Sequence, residues 1–146
     1  VNKVVSILIA IFFLSSSVAL AEDEMAGLTY WNKLKQEAIE TESGLQYKVL
    51  IAGDGRKPGP KSRVRVHYRG LMLNGMQFDS SWSSNEPVTF SLKRVIKGWT
   101  EGIQLMPEGS VYVFLIPPEL AYGKRGSGMI PPNAPLLFEV ELFEVK

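Results

Sequence analysis

Between positions 63 and 69 the chain alternates strictly, Arg63-Val64-Arg65-Val66-His67-Tyr68-Arg69, and Asn74-Gly75 follows five residues later. Successive side chains of a strand point to opposite faces, so Val64, Val66 and Tyr68 share a buried face, with the arginines on a solvated one. Asn-Gly is the strongest short hairpin signal, because both central positions of a type I′ turn need positive φ. Met76 to Asp79 therefore reads as the return strand. A chain that contains this unit is committed to an antiparallel sheet with one apolar face, and that face needs a covering layer.

Further strands can be read around it. Leu45 to Leu50 is one candidate and Val88-Thr89-Phe90 another. Val111 to Ile116 is continuously apolar between Gly109 and Pro117, the pattern of a central strand buried on both faces. Leu136 to Val145 alternates again, with Leu136, Phe138, Val140 and Leu142 inward and Glu139 and Glu141 outward. Gly53-Asp54-Gly55 and Pro58-Gly59-Pro60 mark turns, and the Gly- and Pro-rich stretch from Pro118 to Pro135 is a long loop. One covering helix is present: Ile96, Trp99, Ile103 and Met106 recur at helical spacing until Pro107 ends the pattern. Gly102 inside it costs about 1 kcal/mol relative to alanine, a cost that close backbone packing would explain. A second helix is expected from Leu28 to about Glu40, with Leu28, Trp31, Leu34 and Ala38 as its apolar stripe and Ser43-Gly44 as its stop. The stripe is expected to pack on its own domain. The fold class is α+β: five to six antiparallel strands, one central helix and a short N-terminal helix.

Composition removes several classes of chemistry. The chain has no cysteine and a single histidine, so disulfides, thiol nucleophiles and thiolate metal sites are excluded. Apart from Lys3, basic and acidic residues are equal in number and scattered, which argues against a nucleic-acid partner. No Gly-x-Ser-x-Gly elbow occurs, and Gly123-Lys124-Arg125-Gly126-Ser127-Gly128 lacks the spacing of a phosphate loop. His67 lies between arginines on the polar strand face, where a solvated or hydrogen-bonding role is favoured over that of a catalytic base.

The first residues read as a leader. Lys3 precedes the apolar run Val4 to Leu14, then come Ser15 to Ser17 and Val18-Ala19-Leu20-Ala21. Ala19-x-Ala21 fits signal peptidase, with cleavage before Glu22. The expected division is a signal peptide over 1–21, an N-terminal helical segment over 22–43 and a folded domain over 44–146. An uncleaved membrane anchor is the alternative, and the apolar stretch of roughly 18 residues is at the short edge for that role. Export to the periplasm is expected, with secretion or anchoring as the alternatives.

The remaining distinctive residues are aromatics in short motifs: Val66-His67-Tyr68-Arg69-Gly70, Phe78-Asp79-Ser80-Ser81, Val95-Ile96-x-Gly98-Trp99, Ala121-Tyr122-Gly123, Ile130-Pro131-Pro132-Asn133 and Leu137-Phe138-Glu139-Val140-Glu141-Leu142. Each motif alone is weak, but all six in this order are specific. From Thr41 to Lys146 the chain resembles the FKBP-type peptidyl-prolyl cis-trans isomerases. Thr41 to Tyr47 and Gly98-Trp99-Thr100-Glu101 resemble most closely the bacterial macrophage infectivity potentiator (Mip) and FkpA-like branch.

The resemblance implies a curved sheet wrapped over the short helix, with the substrate proline between them. It makes Trp99 the floor of a pocket and Tyr68, Phe78, Val95, Ile96 and Phe138 its sides. Val88 would stand on the wall, Ile130 would touch the residue before the proline, and the Tyr122 hydroxyl and Ile96 N–H would bind carbonyls. Asp79 would act electrostatically or through the Tyr68 hydroxyl, without proton transfer. The implied partners are proline-containing polypeptides and immunosuppressant macrolides such as tacrolimus or rapamycin. No cofactor, metal or covalent intermediate is implied. A peptide-binding chaperone module with the same pocket and little turnover is the alternative function.

Three departures from the family pattern are visible. Val88 stands where many members carry phenylalanine, Ser84 where some carry an arginine near the aspartate, and the loop from Gly123 to Ile130 is one residue shorter and lacks a histidine. The segment from Glu22 to Glu40 is also too short for the long dimerising arm of Mip-like relatives, so a monomer is expected.

Overall fold

The structure is a computed structural model that describes residues 26–146, so the expected leader lies outside the described residues. Seven strands form one antiparallel sheet: β1 (Ile39–Glu40), β2 (Gln46–Ile51), β3 (Arg63–Met72), β4 (Gln77–Ser80), β5 (Val88–Ser91), β6 (Val111–Ile116) and β7 (Leu136–Val145). Their order is β1-β2-β6-β7-β3-β4, and β5 pairs with the first half of β3. The α+β class holds, and the two-residue β1 brings the described strands above the expected five to six. The hairpin falls where the alternation required it, but not as a type I′ turn: of the Asn-Gly pair only Gly75 takes positive φ, +87°, and its N–H donates to Met72 O at 2.9 Å.

Helix α2 (Lys97–Ile103) covers one face of the sheet. Its glycines explain how closely it sits. A Cβ on Gly98 would lie 2.5 Å from Ile116 Cγ2, and one on Gly102 would lie 2.6 Å from Phe114 Cε1. The helix thus lays a bare backbone stripe against β6, and the propensity cost of Gly102 is offset by packing. Val64, Val66, Phe114, Ile116, Val140 and Leu142 form the core beneath it together with Trp99 and Ile103.

The opposite face carries a second core. Leu71, Val113 and Leu137 point there, one residue out of phase with the first set, and Trp31 of helix α1 (Ala26–Leu34) covers them. The expected packing of this stripe on its own domain is therefore observed. Its expected extent is not: the helix ends at Leu34, a 3₁₀ turn spans Lys35–Glu37, and the chain then becomes β1. Pairing of Ile39 with Tyr47 and of Glu40 with Gln46 draws the backbone out of the helix. Gly44, at φ +88°, closes the β1–β2 turn rather than capping a helix. That turn is tied to α2, because Thr41 Oγ1 and Ser43 Oγ donate to the two carboxylate oxygens of Glu101 at 2.7 and 2.5 Å.

Covering both faces also corrects the expectation of a solvated polar strand face. Arg63 and Arg65 are exposed, but His67 and Arg69 are only 6% and 8% exposed. Trp82 stacks on the His67 ring at 3.7 Å between centroids, and Phe143 meets it edge-on. Glu141, opposite His67 in the sheet, is buried as well, and burial followed by the nearby Glu139 raises its pKa. Glu139 itself accepts a hydrogen bond from the Tyr30 hydroxyl of α1 at 3.1 Å.

Candidate functional site

Where β3, β4, β5, β7 and the start of α2 converge, a cavity of ≈ 390 Å³ opens to the surface. This lies in the range of small-molecule and peptide side-chain pockets, about 300–1,000 Å³. Trp99, the third residue of α2, is 5% exposed and forms its base. The indole is clasped edge-to-face by Tyr68 at 5.1 Å, Phe90 at 5.3 Å and Phe138 at 5.4 Å. Edge-to-face contact sets the positive ring edge against the negative ring face, so the three neighbours fix the indole plane as well as burying it. Trp99 Nε1 is buried without a hydrogen-bond partner among the described residues. An unpaired donor of this kind is unfavourable in a core and points to a constraint imposed by the site.

Phe78 meets Phe138 at 5.5 Å with ring planes at 88°. Gly70 makes that pair possible: a Cβ there would lie 2.6 Å from Phe78 Cζ and 2.8 Å from Phe138 Cε1. The glycine of the Tyr68-Arg69-Gly70 motif is thus a gap in β3 that two pocket phenyl rings fill.

The polar component is compact. The Tyr68 hydroxyl donates to Asp79 Oδ2 at 2.7 Å, and Asp79 Oδ1 accepts the Ser80 N–H at 2.9 Å. Burial, then the hydrogen bond to Asp79 and its charge, raise the pKa of Tyr68, so the phenol stays protonated and donating. Among the described residues Asp79 forms no ion pair. Ser84 Oγ instead donates to Ser81 O at 3.1 Å. Ser81 registers the pair from behind. Its Oγ accepts the Tyr68 N–H at 2.8 Å and donates to Tyr68 O at 3.3 Å, while His67 Nδ1 stands 2.8 Å away on the other side. The imidazole tautomer sets which of His67 Nδ1 and Ser81 Oγ donates in that contact. Burial, followed by the charge of Arg65, lowers the His67 pKa. The histidine is a hydrogen-bonding residue, buried rather than solvated.

Val95 and Ile96 form the wall where the chain enters α2, and no loop or turn hydrogen bond among the described residues uses the Ile96 N–H. Tyr122, 39% exposed, stands at the rim. Two residues expected at the pocket do not line it. Val88 is half-buried against the core, paired with Val66, and Ile130 is buried in the main core with its N–H and C=O both bonded to Ser127. Two residues not expected there do line it, Phe90 and Arg94. Phe90 had a signal, since it lies two residues beyond Val88 on the same strand face and its larger ring reaches further. Arg94 had none beyond its place just before Val95-Ile96. Among the described residues no three His, Asp or Glu side chains converge to hold a metal ion. The arrangement offers an apolar, aromatic slot with the Ile96 N–H beside it, a hydroxyl at its rim and one buttressed carboxylate.

Comparison with known proteins adds the following. Residues 54–143 match the family described as FKBP-type peptidyl-prolyl cis-trans isomerase. The FKBP-type peptidyl-prolyl cis-trans isomerase FkpA of Aeromonas hydrophila is 51% identical over 115 residues, which are 79% of this chain and 43% of that protein. The peptidyl-prolyl cis-trans isomerase Mip of Coxiella burnetii is 46% identical over 127 residues, 86% of this chain and 55% of that protein. The crystal structure of FkpA from Escherichia coli superposes with a TM-score of 0.75 at 42% identity, covering 86% of this chain and 60% of that one. The chain spans about half the length of the curated relatives it matches.

Proposed function

Because this chain belongs to the FKBP-type peptidyl-prolyl cis-trans isomerases, we propose that its aromatic cavity binds an Xaa-Pro segment and accelerates rotation about the bond before proline. The observation that carries this reading is the Trp99-based cavity with the Tyr68–Asp79 hydrogen bond on its wall. A pyrrolidine ring stacks on the indole between Phe78, Phe90 and Phe138. The Ile96 N–H holds the carbonyl of the proline itself, and the Tyr122 hydroxyl holds that of the preceding residue.

The chemistry needs no nucleophile. The prolyl amide resists rotation by about 18–20 kcal/mol because of its partial double-bond character. The planar amide separates more charge than the twisted one, so a dry apolar slot disfavours the ground state relative to the transition state. Two carbonyl anchors on either side of the rotating bond supply orientation. Asp79 keeps the Tyr68 phenol in one direction and adds a fixed negative charge at the rim.

Proline-containing polypeptides are the ligands, and macrolides such as tacrolimus or rapamycin compete for the same cavity. The Ala19-x-Ala21 pattern supports clients among exported proteins, in keeping with the relative from Legionella longbeachae named outer membrane protein MIP. Among the described residues no helix is long and apolar enough to cross a membrane.

Removal of the carboxylate tests the polar half of the site. Asp79→Ala leaves the Tyr68 hydroxyl without its acceptor and is expected to lower kcat/KM about tenfold or more, the equivalent of 1.36 kcal/mol in the transition state. Circular dichroism and thermal melting check that the variant is folded. A folded Asp79→Ala protein with the wild-type rate would remove Asp79 from the site.

A further inference from the structure

Among the described residues two charged ones line the cavity, and they differ in state. Asp79 is engaged by Tyr68 and Ser80, whereas the exposed Arg94 has no hydrogen bond or ion pair from its side chain among the described residues. We propose that Arg94 is a specificity-determining residue that selects clients carrying a carboxylate on the residue after the proline. The inference rests on the isomerase reading of the same cavity.

Three observations support it. The first is placement. Arg94 is held in the β5–α2 turn by its N–H to Ser91 O at 3.0 Å, two residues before Ile96. Arg94 and Ile96 line the same cavity, so in the proposed binding mode, with the Ile96 N–H on the carbonyl of the proline, the residue that follows the proline is the one assigned to the guanidinium. The second is the field. In sequence Lys93 and Lys97 flank Arg94 and Lys124 and Arg125 follow the rim residue Tyr122, and all four are exposed without an ion pair among the described residues. Glu101, the acid nearest Arg94 in sequence on α2, has both oxygens taken by Thr41 and Ser43. The third is chemistry. A planar guanidinium offers a two-point fork that matches a carboxylate, which a lysine at the same place would not. An arginine that is merely solvated would show no dependence on the charge of the ligand.

The test uses peptides identical except for Glu, Gln or Lys directly after proline, with the full chain and its Arg94→Gln and Arg94→Glu variants. Wild type is expected to process the Glu peptide with about fivefold higher kcat/KM than the Lys peptide, the scale of one exposed ion pair gained. The preference shrinks in Arg94→Gln, reverses in Arg94→Glu, and collapses at 1 M salt, where the Debye length is about 3 Å. An equal Glu-to-Lys ratio in wild type and Arg94→Glu overturns the proposal. Dissociation constants of the same peptides, measured by calorimetry, separate it from the isomerase reading. Glu-selective binding that follows residue 94 without rate acceleration overturns catalysis and sustains the role of Arg94. Acceleration without charge selectivity does the reverse, and absence of both binding and acceleration overturns both.

Discussion

Trp99→Leu is expected to lower the rate of prolyl isomerisation about a hundredfold, the equivalent of 2.7 kcal/mol of lost transition-state stabilisation. The indole meets three of the pocket's other rings edge-to-face, at 5.1, 5.3 and 5.4 Å. Leucine keeps aliphatic bulk under the cavity and avoids the cost of about 3–5 kcal/mol that truncation of a buried tryptophan to alanine entails. It provides no flat floor, and the edges of Tyr68, Phe90 and Phe138 lose the face they pack against. The floor also deepens, so that a pyrrolidine ring is no longer gripped from below. The variant is checked by steady-state kinetics alongside a denaturant melt. A folded Trp99→Leu protein with an unchanged rate contradicts the assignment of Trp99 as the pocket base.

Gly70→Ala is the second change with a large expected effect, and it acts through the sheet. The added methyl would stand 2.6 and 2.8 Å from the rings of Phe78 and Phe138. Contacts that short do not occur, so one or both rings must move. Overpacking of this kind costs about 1–3 kcal/mol of stability. The same displacement opens the Phe78–Phe138 contact that forms one pocket wall, so kcat/KM is expected to fall with stability. Gly102→Ala meets Phe114 as closely but lies on the β6 side of α2, away from the cavity lining. A melt and a rate measurement on Gly70→Ala check the expectation. A variant that loses neither stability nor activity would show that the rings are free to rearrange.

Much of this architecture was legible in the residues because each signal was local. The alternation from Arg63 to Arg69 and the Asn74-Gly75 turn act through neighbours in sequence, and the strand and its hairpin return appear where they were read. Gly102 was legible as a close-packing position because a helix pays for glycine only where something fills the space. The failures came where distant elements meet. The N-terminal helix ends at Leu34 since Ile39 and Glu40 find partners in β2, a contact no periodicity announces. His67 and Arg69 read as solvated because the sheet was assumed to have one open face. α1, Trp82 and Phe143 cover the other face, and the period-two pattern of β3 carries no trace of them.

The pocket divides in the same way. Tyr68, Asp79, Trp99 and Tyr122 stood out because buried or rim polar groups on aromatic neighbours are unusual for a core. Ile130 was placed at the slot by family likeness, but its backbone bonds to Ser127 turn it into the core. Phe90 supplies wall where Val88 was expected to, because β5 sets the larger side chain over Trp99. Arg94 has no pattern to betray it. A charged residue in a turn before a helix is ordinary until the structure puts it on a cavity wall.

The most direct test of the central claim is the exchange rate of a Leu-Pro peptide between its cis and trans forms, measured with and without catalytic amounts of the chain. Uncatalysed exchange takes tens to hundreds of seconds. The Trp99-based cavity predicts that exchange accelerates in proportion to added protein and that a saturating proline-containing competitor suppresses the acceleration. Exchange that stays at the uncatalysed rate while the peptide binds the cavity would contradict catalysis and leave a binding module in its place.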